Sequence, residues 1–307
     1  MDMLPVVSQM GILFAAVALG FVGAKFGVLR ADSNEQLSKL VLNLTLPCSV
    51  LFSALDAERL LDNRQILLLT LIACATAGVM VLAAAGLVRL FGIPPEQRGV
   101  SKFMLIFTNS AFIGFPVLRV LFGASSIFYA SIFNLAFMVL SYTYGVALIG
   151  GRGNASLTWR TVLTPMVISS LLAYVIYLAD FHAPAFFVNV LKFIDPVTSP
   201  LSLMTIGCAL ATQPMKGAFK AWRVHGALAL RMLVFPVAYY FCLRLFISNP
   251  VILGVTTIIV AMPAAASTTM FCAKYDGGQA LASAGVFLTT VLSIASIPLL
   301  AGLLFRA

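Results

Sequence analysis

Thr108-Asn109-Ser110-Ala111-Phe112-Ile113-Gly114-Phe115-Pro116 lies in the middle of an apolar run that begins near Val100 and ends at Leu121. A helix needs about 20 apolar residues to cross a bilayer core, and this run is long enough. Its centre nevertheless carries an asparagine, two hydroxyls, a glycine and a proline. Proline removes a backbone donor and clashes with the preceding turn, and an amide in hydrocarbon is costly without a partner. Backbone that leaves the helix at membrane depth survives only where protein buries it or where it lines a wet cavity. Farther along comes a second stretch of this kind, Ala261-Met262-Pro263-Ala264-Ala265-Ala266-Ser267-Thr268-Thr269, with Pro263 standing 154 positions after Asn109. Two interrupted spans at matching positions of two halves point to a transporter binding site. A pair of proline-kinked helices without a ligand is the plainer alternative.

The rest of the chain fits a membrane setting. Of 307 residues, 61% are hydrophobic and 9% charged, with a mean hydropathy of +1.05. Soluble domains carry roughly 25% charged residues, so the composition is that of an all-α polytopic membrane protein. The net charge of +9 does not imply nucleic acid, because basic residues of membrane proteins collect in cytoplasmic loops and no basic tract interleaved with aromatics occurs. Cys48, Cys74, Cys208, Cys242 and Cys272 all fall in apolar runs without a CxxC pair. They read as small buried hydrophobes, with neither a disulfide framework nor a metal site expected. The first apolar run lacks a basic leader and a cleavage site, so it is expected to stay as a span.

Ten spans can be marked: Leu4 to Ala24, the run ending at Leu55 with Pro47 inside it, Ile66 to Val88, the interrupted fourth, Ile127 to Ile149, Val162 to Ala179, Pro184 to Ala211, Gly226 to Phe246, Val251 to Cys272 and Ala280 to Phe305. Gly150-Gly151-Arg152-Gly153-Asn154 is the candidate connector between halves. Five spans on each side force the second half to insert upside down, so the expected architecture is two inverted five-helix repeats, 1–150 and 157–307. Leu46-Pro47-Cys48-Ser49-Val50-Leu51 answers Ser199-Pro200-Leu201-Ser202-Leu203-Met204, and Phe122-Gly123 answers Asp276-Gly277.

Orientation follows from the 19 basic residues. Lys25, Arg30, Lys39, Arg89, Arg98, Lys102, Arg152, Arg160, Lys216, Lys220, Arg223 and Lys274 lie in odd-numbered loops. Arg59, Arg64, Arg119, Arg244 and Arg306 lie on the opposite face. Twelve against five puts the odd loops in the cytoplasm and both termini outside it, in the cell inner membrane. Of the ten acids, Asp195 is the one read inside a span, which disfavours a cation antiporter built on intramembrane carboxylates. Asp195 stands one turn from Lys192, and the two are read as a self-neutralised pair near the outer interface. Arg231 is read as snorkelling to the cytoplasm, with an anion or a helix C-terminus as its alternative partners.

Asn109-x-x-Phe112-Ile113-Gly114-Phe115-Pro116 followed by Phe122-Gly123 resembles bacterial members of the auxin efflux carrier family, relatives of the plant PIN-FORMED carriers. So do Leu46-Pro47, Pro200-Leu201-Ser202-Leu203 leading to Ile206-Gly207, Arg231 with Pro236, and Met262-Pro263-Ala264 followed by Ala273-Lys274-Tyr275. The resemblance covers nearly the whole chain. It implies ten spans in a sodium–proton-antiporter-like fold, with the fourth and ninth helices broken and crossed. It further implies a scaffold, 1–56 and 161–211, and a transport domain, 65–149 and 222–305. Asn109 matches the family's crossover asparagine, Pro116 its proline, and Pro263 the proline of the ninth span. The residues expected at the cargo are Thr108, Asn109, Ser110, Pro116, Met262, Pro263 and Ala264, together with Asn43 and Asn134. Arg231, Asp195 and Lys192 are candidates for anion or coupling support. One departure is Thr164-Pro165 at the start of the sixth span, where many members resemble Asn-Pro.

The family's substrates are small organic anions, auxin in plants and carboxylates such as malonate or malate in bacteria. The physics agrees, because the N-terminal ends of broken helices present N–H groups and a positive dipole end without a charged side chain. The expected function is therefore a secondary carrier of a small organic carboxylate, by alternating access of elevator or rocking type. It works in a lipid bilayer with no cofactor, no metal and no nucleic acid, and a homodimer is compatible with it. The alternatives are a sodium-coupled organic anion symporter of the bile-acid type, with Thr108, Ser110, Ser267, Thr268 and Thr269 as partial sodium ligands, or an anion channel or sensor. An intramembrane enzyme is not expected. HExxH and GxSxG are missing, and His182 and His225 have no serine or acid at useful spacing.

Overall fold

Runs of apolar residues in hydrocarbon must satisfy their backbone internally, and helices do this within one segment. The computed structural model describes residues 3–56, 61–150, 163–212, 220–275 and 277–304. Among them every named element is a helix, and β-pairing is confined to an isolated bridge between Thr108 and Ala264. Seven helices are long and apolar enough to cross a membrane: Ser8–Lys25, Ala31–Leu55, Asn63–Leu90, Ser126–Gly150, Ala185–Thr212, Trp222–Arg244 and Gln279–Leu304. Three shorter apolar helices are Ser110–Phe122, Pro165–Leu178 and Pro250–Ala261. Leu71, Leu82, Phe186, Phe187 and Phe193 point outward, a surface that hydrocarbon accommodates and water does not. Asp2, Glu58, Arg59, Arg152, Gly153, Asn154, Arg160, Lys216, Asp276 and Arg306, on which parts of the orientation and repeat readings rest, lie outside the described residues.

Proline placement accounts for much of the local irregularity. Two wide π turns, Val41–Thr45 and Ser110–Gly114, each stand just before a proline, Pro47 and Pro116. A proline without an N–H leaves an upstream carbonyl unpaired, and the widened turn absorbs the mismatch. A third π turn, Ser141–Gly145, has no such proline. There the Ser141 and Thr143 hydroxyls bond back to the carbonyls of Met138 and Val139, which competes with the regular ladder. The departure at Thr164 is resolved simply: its hydroxyl oxygen accepts from the Val167 N–H at 3.3 Å and caps Pro165–Leu178, as threonine commonly does.

The chain forms two compact units. The first comprises Met1–Thr70, Ala111–Leu135 and Leu163–Gln213. In it Met3–Lys25 lies along Ala185–Thr212. A Cβ on Gly20 would run into the Met204 carbonyl, and one on Gly207 into the Val17 carbonyl. The two helices therefore touch backbone to backbone, the approach that small residues permit in membranes. Ala31–Leu55 packs on Ala185–Thr212 and on Pro165–Leu178, and Thr198 Oγ1 donates to the Thr45 carbonyl, 3.1 Å away.

The second unit comprises Leu71–Ser110, Ala136–Val162 and Pro214–Ala307. Gln279–Leu304 packs on Trp222–Arg244 and on the short helices Arg98–Ile106 and Ser267–Lys274. Every residue from Ile252 to Ala265 is buried, so the Pro250–Ala261 helix is apolar on all sides because protein surrounds it. Its start is fixed by Asn249, whose Oδ1 accepts from the N–H groups of Val251 and Ile252 at 2.9 and 3.2 Å. The burial expected of all five cysteines fails at Cys74 and Cys242, which are exposed on helix surfaces. A thiol behaves there as one more small apolar group.

Candidate functional site

The two interrupted runs solve their backbone problem with each other. Arg98–Ile106 stops at Phe107, which is extended (φ −95°, ψ 128°), and Pro250–Ala261 stops at Met262 (φ −61°, ψ 151°). The extended pieces that follow pair antiparallel across the bridge of Thr108 with Ala264. Asn109 N–H donates to the Pro263 carbonyl at 2.8 Å, and Ala265 N–H to the Phe107 carbonyl at 3.0 Å. Ala264 N–H donates to Thr289 Oγ1 at 3.2 Å. Backbone at membrane depth is thus satisfied by protein. Helix then resumes at Ser110 on one side and Ser267 on the other.

This pairing changes what is available to a ligand. Open backbone N–H groups were expected at the breaks, but those of Asn109, Ala264 and Ala265 are taken by protein acceptors. A side-chain donor at the same break is left over. Asn109 is 5% exposed, and its Nδ2 is fully buried with no hydrogen-bond partner. A buried amide left in that condition costs roughly 1–3 kcal/mol.

Arg231 comes to the same place from Trp222–Arg244. It does not snorkel to the cytoplasm: it is 2% exposed, and Nη1 donates to the Met262 carbonyl at 2.5 Å. The helix C-terminus, one of the two alternatives read from the sequence, is what it holds. The reason is electrostatic, since the last carbonyls of Pro250–Ala261 carry a partial negative charge that a cation offsets. Its Nε and Nη2 are buried without partners.

Asp195 also differs from its expected pairing. Lys192 is exposed, and Asp195, 4% exposed, is instead gripped by Arg119, with Nη1 to Oδ2 at 2.7 Å and Nη2 to Oδ1 at 2.5 Å. Ser49 Oγ donates to Oδ1 at 2.6 Å. A carboxylate this buried needs more than one donor, and the flat guanidinium supplies two in parallel, which a lysine one turn away cannot match. Arg119 was counted on the outer face; it is a half-buried residue of the Phe115–Phe122 helix, turned onto Asp195.

Of the residues expected at the cargo, the second unit therefore brings Thr108, Asn109, Met262, Pro263 and Ala264 together, with Arg231 beside them. Ser110, also in that unit, is buried and begins the next turn. The others belong to the first unit: Pro116 is buried in the opening turn of Phe115–Phe122, Asn134 is half-buried, and Asn43 is exposed. Sequence reasoning missed Thr289, Ser49 and the role of Arg119. The available signals were Thr289-Thr290 inside a long apolar helix, and an arginine placed two residues before its apolar run ends.

A model described as "Membrane transport protein" matches residues 5–158 and 152–301. An uncharacterized transporter of Methanocaldococcus jannaschii is 22% identical over 299 residues, 94% of this chain and 95% of the relative. Another uncharacterized transporter, from Methanothermobacter thermautotrophicus, is 23% identical over 286 residues, 92% of this chain and 93% of the relative.

Proposed function

The chain belongs to the membrane transport protein family, that of the auxin efflux carriers, and from this premise we propose that it is a secondary carrier of a small organic carboxylate. The cargo binds at the paired breaks of the second unit, with Asn109 donating to its carboxylate directly or through one water. The observation that carries this reading is the buried Nδ2 of Asn109, which has no acceptor in the protein although the N–H groups of Asn109, Ala264 and Ala265 are paired. The amide is a neutral donor and hydrogen-bonds a carboxylate without adding a charge of its own. The amide offers two N–H donors, and the N-terminal turn of Ser267–Lys274 adds a favourable dipole.

In this proposal the ten apolar runs form two inverted repeats, and alternating access moves a transport domain against a scaffold. The protein sits in the inner membrane with both termini outside the cytoplasm, as the distribution of basic residues favours. The test is uptake into proteoliposomes of malonate, malate and indole-3-acetate, with and without internal counter-substrate, sodium and a pH gradient. Saturable uptake accelerated by internal substrate is expected, together with its loss in Asn109→Ala. Uptake that does not saturate would identify a channel and sink the carrier reading. Asn109→Ala with unaltered uptake would remove the crossover as the site.

A further inference from the structure

Helix capping uses one nitrogen of Arg231 and leaves the other two idle. Nη1 is committed to the Met262 carbonyl, while Nε and Nη2 are buried with no partner. These two nitrogens form one edge of the guanidinium, on which two N–H bonds project in parallel at the spacing of a carboxylate's oxygens. Among the described residues no carboxylate pairs with Arg231. The helix end it caps offsets only part of the charge, equivalent to roughly half an elementary charge. A cation left so in a protein interior is strongly disfavoured unless an anion completes it. Arg231 and Asn109 are fastened to consecutive carbonyls of one break, those of Met262 and Pro263.

We propose that the Nε/Nη2 edge of Arg231 is a second carboxylate-binding element of the cargo site, gripping the anion bidentately while Nη1 stays on Met262. This rests on the carboxylate-carrier reading given above. Asn109 supplies neutral donors, and Arg231 supplies the charge that makes the site prefer an acid to its uncharged amide. The division also explains how a site without a titrating acid selects by charge. The guanidinium stays protonated throughout, so the preference belongs to every step at which the cargo is bound. At 2% exposure the edge meets cargo when the protein opens, as alternating access requires.

The experiment compares binding of indole-3-acetate with indole-3-acetamide, and malonate with malonamide, to the purified full chain in detergent. Arg231→Gln and Arg231→Lys are measured beside the unmodified protein. Arg231→Gln is expected to lower acid affinity about tenfold or more and to leave amide affinity within about twofold. The acid-over-amide preference then collapses. Arg231→Lys keeps a charge but not the parallel edge, so its preference falls to an intermediate value. Where an amide binds too weakly to measure, loss of acid binding with an unchanged unliganded melting temperature supports the proposal.

A merely structural arginine would weaken acid and amide alike, and an unchanged preference in either variant overturns the proposal. If Arg231→Gln does not fold, Arg231→Lys decides alone by the same ratio. Acid binding that persists in the variants defeats the role of Arg231 and leaves the carrier reading standing. If the unmodified protein binds none of the four compounds, the carboxylate reading falls and this inference with it.

Discussion

Replacing Asp195 with alanine removes the carboxylate at which Arg119 and Ser49 converge. In the first unit that carboxylate joins Ala31–Leu55, Ser110–Phe122 and Ala185–Thr212. Removing one partner of a buried pair costs about 3–5 kcal/mol, because the other charge is stranded. The Arg119 side chain is 23% exposed against 5% for Asp195, so the stranded guanidinium can turn partly to water. The lower end, about 3 kcal/mol, therefore applies. Unfolding entropy is about 2.1 cal/mol/K per residue. If all 307 residues melt together, the melting temperature falls by about 5 °C; if the first unit melts alone, the fall is roughly twice that. The assay is far-ultraviolet circular dichroism in detergent on Asp195→Ala, Arg119→Ala and the double variant, with Lys192→Ala as the control. The double variant is expected to recover about 1–3 kcal/mol of coupling, and Lys192→Ala to melt within about 1 °C of the unmodified protein because an exposed lysine contributes little. Strictly additive single variants would refute the reasoning. So would a Lys192→Ala effect as large as that of Arg119→Ala.

Gly207→Leu places a side chain against the Val17 carbonyl, where even a Cβ has no room. The Met3–Lys25 and Ala185–Thr212 helices must separate, and a loss of about 2–4 kcal/mol is expected; folded yield and melting temperature matching the unmodified protein would contradict the backbone contact. Orientation is checked with single cysteines in a background lacking the native five. An impermeant thiol reagent added outside intact cells should label replacements of Asp2 or Arg306 and spare those of Arg98 or Lys216, and the reverse pattern would invert the topology.

Hydropathy and proline placement made the helical runs legible because both act locally. A run of about 20 apolar residues has few options in hydrocarbon, and a proline disturbs its own turn whatever surrounds it. Hence the breaks at Asn109 and Pro263, and the irregular turns before Pro47 and Pro116, can be found by reading along the chain. Asn109 stood out for the same reason, since an amide at the centre of an apolar run is costly wherever it lacks a partner. Partners are a different matter. Lys192 stands three residues from Asp195 and is the natural local choice, whereas Arg119 is 76 positions away and Ser49 is 146. Packing of the helices, not spacing along one helix, decided which donors reached that carboxylate. Likewise nothing local told Arg231 to turn inward rather than snorkel. That depended on the broken end of Pro250–Ala261 being within its reach, offering carbonyls that no helix continued to satisfy. Three of the backbone donors at the breaks, those of Asn109, Ala264 and Ala265, were consumed in the same way, two of them by pairing between the interrupted helices themselves. The chain thus encodes in local sequence where its helices must break, while the tertiary structure selects which of the freed polar groups stay unpaired, because that depends on contacts between segments far apart in the chain.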